Sequence, residues 1–223
     1  AGELELPSDA AYLLHTLRLD LVRAGASADE ATQARLRELN SRISTLETTF
    51  GRELLADQNS RALLVTDEAE LDGLAADAIA AARQAAADRG HESGWLLELI
   101  LPTQQPVLAN LTSRQVRRRL MEASTVRGAA GEHDTRAALL EVARLRAERA
   151  GLLGYEHHAA YIAEDGTAAT SAAVAAMLGP LGPAAAANAR REAADLERAL
   201  QADEPGARLK AADWQFYAER VRQ

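Results

Sequence analysis

Five histidines, 33 carboxylates and no cysteine set the chemistry open to this 223-residue chain. The sharpest local pattern is His91-Glu92-Ser93-Gly94-Trp95, which begins like the metal-binding helix signature HExxH. In that signature two histidines one turn apart hold zinc, and the glutamate between them activates a water molecule. Here the fifth position is Trp95, so the second ligand is missing, and Gly90 and Gly94 suit a turn. The segment reads as a loop leading into a strand. His157 and His158 are adjacent, so on a helix they point about 100° apart and do not form one local chelate. Two readings stand for them: packing beside Tyr155 and Tyr161, or a share in a site completed by another part of the protein. His133 before Asp134 reads as a loop running into a helix cap, or as a cleft residue, and His15 as a helix-surface or packing residue.

The remaining patterns carry less. Asp67, Glu68, Glu70 and Asp72 form a hydrated acidic turn, because a general acid and base pair needs two carboxylates facing each other across a cleft. Gly179-Pro180-Leu181-Gly182-Pro183 has two prolines and no nearby lysine, which rules out a phosphate-cradling loop, and no Gly-x-Ser-x-Gly elbow is present. The absence of cysteine removes disulfides and thiolate chemistry and agrees with a cytoplasmic location. A net charge of -8 argues against a general nucleic-acid surface. Its local exception, Arg117-Arg118-Arg119, reads as solvated or cross-helix paired arginine, with an anion or nucleic-acid contact as the alternative. No catalytic, cofactor-binding or metal-binding residue is assigned within the chain.

Those residues need a scaffold, and composition says which kind. Hydrophobic residues make up 48% of the chain but aromatics only 4%, and much of the apolar share is alanine, which favours helix and close helix approach. The spacing predicts a mainly α fold: a multi-helix domain with long antiparallel helices and a small β ribbon. Pro7 with Ser8 or Asp9 opens a first helix with Leu14, Leu17 and Leu21 as its stripe. Ser27 with Glu30 forms a capping box for the next, in which Leu36, Leu39, Ile43, Leu46, Phe50 and Leu54 recur every three or four residues. That helix, about 45 Å from Ser27 to Ala56, is expected to be the longest. Its stripe fits a packing seam or a self-association coiled coil.

Residues 62–66 and 95–101 read as strands, with an alanine-rich surface helix between them ended by Gly90. Ser113 caps a helix through Ala123 with Val116 and Leu120 inward, residues 128–133 form a glycine-containing loop, and Asp134 caps a long helix carrying Leu139, Val142 and Leu145. A short helix follows around 157–162. Residues 179–183 are expected to make a turn between two packed helices and mark a possible internal junction. No apolar run long enough to span a membrane is evident, and residues 1–10 lack signal-peptide features. Residues 213–223 form an aromatic-rich helix pattern without a stop signal, which suggests that the chain is the front of a longer protein.

Several segments taken in order carry a resemblance. Arg23-Ala24-Gly25-Ala26, then Leu39-Asn40-Ser41-Arg42-Ile43-Ser44-Thr45-Leu46 followed by Phe50, and then Gln105-Pro106-Val107-Leu108 resemble the amino-terminal part of M3-type zinc oligopeptidases. The branch is that of peptidyl-dipeptidases (dipeptidyl carboxypeptidases) and oligopeptidase A. The likeness continues through Arg114 and Arg117, Gly131-Glu132-His133-Asp134-Thr135-Arg136, Leu145-Arg146-Ala147-Glu148-Arg149-Ala150-Gly151-Leu152-Leu153-Gly154-Tyr155, and Asp213-Trp214-Gln215-Phe216-Tyr217.

The resemblance implies a mostly helical, bilobed peptidase with a deep channel. Zinc is held there by the two histidines of HExxH and a later glutamate, and none of these residues maps onto this sequence. The chain would then be a non-catalytic amino-terminal region, forming a channel wall that admits short peptides, with residues 128–136 nearest the chemistry. Its implied partners are the missing carboxyl-terminal catalytic domain and short peptide substrates, with no nucleic acid and no membrane. Self-association of the isolated piece is a further expectation. The rival reading is a noncatalytic helical scaffold or protein-interaction module.

Overall fold

The computed structural model describes residues 6–222, the side chains of 101–103 excepted. The described chain is mainly helical: α1 (Ser8–Arg23), α2 (Glu30–Ser60), α3 (Ala76–Asp88), α4 (Leu101–Asn110), α5 (Arg114–Thr125), α6 (Arg136–Leu152), α7 (His158–Glu164), α8 (Ser171–Asp203) and α9 (Ala211–Arg222). Two short strands, β1 (Leu63–Val65) and β2 (Trp95–Leu97), pair antiparallel with Leu64 opposite Leu96. The chain divides into two compact units, one of residues up to Thr49 plus Ala137–Met177, the other of Phe50–Arg136 plus the residues from Leu178 onward.

In the first unit, the predicted stripe on α2 is a packing seam. Leu39, Ile43 and Leu46 are buried against Val142 and Leu145 of α6. Arg35 pairs with Glu148 at 2.7 Å and Arg42 with Glu141 at 2.8 Å, so the two helices run antiparallel. The start of α2 differs from expectation. The cap is Asp29, whose Oδ1 accepts the Thr32 N–H at 2.7 Å, because the helix begins at Glu30 and Ser27 lies a turn too early. Gly25 takes φ +91, and a Cβ there would sit 2.5 Å from Leu36 Cδ1, so the turn from α1 into α2 needs glycine on both counts. The expected α1 stripe is not buried: Leu14, Leu17 and Leu21 are all exposed.

The second unit has two cores. Val65, Leu71, Ala82, Leu97, Leu99, Val107, Leu108, Leu111, Val116 and Leu120 form the larger, so the ribbon is held by packing against α3, α4 and α5. Leu196 and Leu200 of α8 form the smaller with Phe216 and Tyr217 of α9. Ser113 caps α5 through the Val116 N–H at 3.4 Å. The acidic segment is not merely a hydrated turn: residues Glu68–Leu71 form a 3-10 helix, which Asp67 caps through the Ala69 N–H at 3.0 Å. The second strand is shorter than expected. It ends at Leu97, and the apolar residues 99–101 lead instead into α4, whose first turn accommodates Pro102.

The largest departure lies at residues 179–183. They form no turn, since Ser171–Asp203 is one helix of 33 residues containing Pro180 and Pro183, and it exceeds the 31 residues of α2. Both prolines are exposed, so the carbonyls of Ala176 and Gly179 that lose their helical donors face solvent. Contrary to expectation, this helix is also long and apolar enough by composition to cross a membrane, with a mean hydropathy of 1.2 over its most apolar window. Alanine, glycine and proline supply that value, with Met177, Leu178 and Leu181 the large apolar residues exposed along it. Residue 223, the end of the expected unfinished helix, lies outside the described residues.

Candidate functional site

The segment between α5 and α6, singled out above for its glycines, is held by the last two turns of α2. Glu53 and Asp57 lie one turn apart on one face of α2, and Arg61, the residue just after its end, continues the four-residue spacing, its N–H donating to the Asp57 carbonyl at 3.0 Å. Arg61 Nε donates to Asp57 Oδ2 at 2.7 Å, and the same oxygen accepts the Gly128 N–H at 2.7 Å. Arg61 Nη2 donates to the Ala130 carbonyl at 2.8 Å. His133 Nδ1 lies 2.8 Å from Glu53 Oε2. Across the base of the loop, the Thr135 N–H and hydroxyl both donate to the Gly128 carbonyl, at 2.8 and 2.9 Å.

The electrostatics follow from those contacts. Asp57 is only 3% exposed, and burial opposes its ionisation. The hydrogen bonds from Arg61 and the Gly128 N–H outweigh that penalty and hold the carboxyl below its ordinary range. The Glu53 carboxyl is lowered chiefly by His133, then by Arg52. Asp134 drops to about 2 through its hydrogen bonds from the Arg136 side chain and N–H. Asp134 therefore caps the entry to α6 as expected, and His133 turns back toward α2. A carboxylate beside an imidazole fixes ring orientation and tautomer. Here the pair ties a loop to a helix.

A second polar node joins α5 to α9. Arg114 grips Asp213 bidentately at 2.9 and 2.8 Å, and Arg117 reaches the same carboxylate at 3.4 Å. Of the readings given for it, Arg117 takes the cross-helix paired one and is not solvated: it is 1% exposed, donates to the Leu111 and Thr112 carbonyls at 2.6 and 2.9 Å, and stacks its guanidinium 4.0 Å from the Phe216 ring centroid. Burial raises the Asp213 pKa, but Arg114, the Lys210 N–H and Arg117 together pull it below the ordinary range. Arg118 stays exposed, and Arg119 lies 3.9 Å from Glu70. Sequence reasoning noted Arg114, Arg117 and Asp213 separately and missed that they meet. It missed Asp57 altogether, although the four-residue spacing of Glu53, Asp57 and Arg61 was a usable signal.

The other histidines stay apart. His91 lies in the loop before β2, so its segment is not a helix. His157 caps α7, its Nδ1 accepting the Ala160 N–H at 3.0 Å. His158 stacks on Tyr161 with centroids 6.0 Å apart, and burial, then Arg146 and Arg149, lowers its pKa. Tyr161 in turn meets Tyr155 edge-on at 5.2 Å and carries the Arg23 guanidinium at 4.3 Å. The packing reading of this pair fits the contacts in its own unit. His15 lies within α1. Among the described residues, no three histidine or carboxylate side chains converge in a way that could hold a metal ion.

Comparison with known proteins supplies what this geometry does not. The chain is 35% identical over 220 residues to the dipeptidyl carboxypeptidases of Escherichia coli (strain K12) and Salmonella typhimurium (strain LT2), covering 98% of this chain and 32% of each relative. Oligopeptidase A of Escherichia coli (strain K12) is 32% identical over 145 residues, covering 63% of this chain and 21% of that protein. The chain thus spans about a third of the length of the dipeptidyl carboxypeptidases it matches. The family model for peptidase family M3 matches residues 107–223, which take in the clamped loop and the α5–α9 node. With that match over half of its length, the chain belongs to peptidase family M3.

Proposed function

We propose that this chain is the non-catalytic amino-terminal region of a zinc metallopeptidase that hydrolyses short peptides, and that it forms part of the substrate channel wall. The observation that carries the reading is the 220-residue likeness to dipeptidyl carboxypeptidase, which takes in nearly all of this chain but only 32% of that enzyme. The residues present do not fit the zinc site. The one HExxH-like segment has Trp95 in place of the second histidine and lies in a loop. Zinc and its ligands are therefore assigned to residues outside this chain. The part left to this chain is shape: the clamp of Glu53, Asp57 and Arg61 holds residues 128–135 as a fixed surface, which suits a wall that admits short chains and excludes folded ones.

Its partners on this reading are the catalytic domain and short peptide substrates, without nucleic acid or membrane. A cytoplasmic location has the support of one relative's name, a probable cytosolic oligopeptidase A of Arabidopsis thaliana.

The test is made on the purified 223-residue chain. Elemental analysis should find no stoichiometric zinc after dialysis, and a quenched fluorescent hexapeptide should remain uncut. Stoichiometric zinc lost on replacing His157 or His158, or cleavage that survives repurification, would overturn the assignment.

A further inference from the structure

Within the arginine run on α5, Arg117 is buried and Arg119 lies near Glu70, which leaves Arg118 unexplained. Arg118 stands one turn beyond Arg114, and both line a cavity of about 520 Å³ within the second unit. Arg208 and Lys210 line the same cavity from the segment that leads into α9, and Ala211 and Ala212, the first residues of α9, are too short to fill it. The Arg114 guanidinium is fully engaged: it holds Asp213 and Glu204 and donates to the Arg208 carbonyl at 2.8 Å, which ties the two walls together. The other three cations are exposed. Arg208 keeps a 3.4 Å contact with Glu197, while among the described residues the Arg118 guanidinium and the Lys210 ammonium meet no acceptor. Glu122 is the one carboxylate in the lining, so positive charge gathers here in a chain whose net charge is -8.

We infer that this cavity binds a small oxyanion of the phosphate class, a diphosphate in particular, with Arg118, Arg208 and Lys210 as its charged ligands and Arg114 as the brace between its walls. Cations on two facing walls need acceptors on more than one side of the ligand. A tetrahedral phosphoryl group supplies them, whereas a carboxylate offers two oxygens in one plane. The start of α9, a helix of 12 residues, adds the positive end of its dipole at Ala211 and Ala212. Size is limited from two sides: the volume suits a small molecule, and the net negative charge of the chain repels a long polyanion. The inference does not depend on the peptidase reading, since it assigns no cleavage and uses no residue outside this chain.

Lys210 is the only lysine of the chain, so the reactivity of one side-chain amine reports occupancy. The 223-residue chain is acetylated with a water-soluble succinimidyl ester over a titration of inorganic pyrophosphate at constant ionic strength, and modification of Lys210 is read by peptide mass spectrometry. Saturable protection is expected, half complete below about 1 mM pyrophosphate. Arg118→Ala, at an exposed position, should shift that midpoint upward by about tenfold or more with an unchanged circular dichroism spectrum. Arg190→Ala, which removes an exposed arginine from α8, should leave it where it was. A parallel titration with adenosine diphosphate identifies the source: protection equal to that of pyrophosphate assigns the free anion, and tighter protection assigns a nucleotide that carries it. Lack of protection at about 20 mM pyrophosphate would overturn the inference. So would equal protection by succinate, or an unchanged midpoint in the Arg118→Ala chain.

Discussion

Asp57 and Asp213 are the two buried carboxylates on which local order rests, and they fail differently. Asp57→Ala leaves the Gly128 N–H and Arg61 without their acceptor, which should cost about 1–3 kcal/mol in chemical denaturation and speed amide exchange at Gly128. Asp213→Ala is worse, because it strands the guanidinium of Arg117 in a core where it is 1% exposed; about 3–5 kcal/mol is expected. Replacing Arg117 by Met in the same chain should recover a large part of that loss, and a double-mutant cycle with no coupling would contradict the contact. Both carboxyls titrate below their unfolded value near 3.8. Their contribution is therefore complete above that value and falls as the pH drops through it toward the folded pKa. Denaturation midpoints should decline as the pH falls below about 4, and by less in an Asp57→Asn chain.

Among elements, helix α8 gives the sharpest contrast between pattern and outcome. Proline read from sequence is a breaker, and residues 179–183 were therefore expected to turn. In the fold both prolines sit on an exposed helix, where the missing N–H groups free two carbonyls to water rather than to a core. Pro180→Ala or Pro183→Ala should then raise stability, by up to about 3 kcal/mol each, with a gain in helical circular dichroism. A loss would show that the segment turns in solution. Gly25→Ala makes the opposite case. Its φ of +91 and the 2.5 Å approach to Leu36 predict destabilisation of about 1–3 kcal/mol, read by thermal denaturation.

The same contrast explains what the sequence disclosed. Leu39, Ile43 and Leu46 repeat within one helix, and Ser113 caps its own next turn, so both were legible locally. Arg114 and Asp213 are 99 residues apart and Arg117 and Asp213 are 96 apart, so only the packing of α9 on α5 brings them together. The buried stripe on α2 and the exposed one on α1 look alike as patterns, because periodicity marks an apolar face without naming what covers it.

At the scale of the whole molecule, a peptidase family is recognisable in a chain whose described residues hold no metal site. The two facts agree if chemistry and channel wall belong to different parts of one polypeptide. The most direct measurement takes the reading frame past the codon for Gln223, expresses the product it encodes, and assays hydrolysis of a quenched short peptide with and without a zinc chelator. The account predicts a continuing frame that carries HExxH and a later glutamate, and activity that the chelator abolishes. A frame that stops, or that runs several hundred residues without the motif and yields no hydrolysis, would contradict it and leave a helical scaffold in its place.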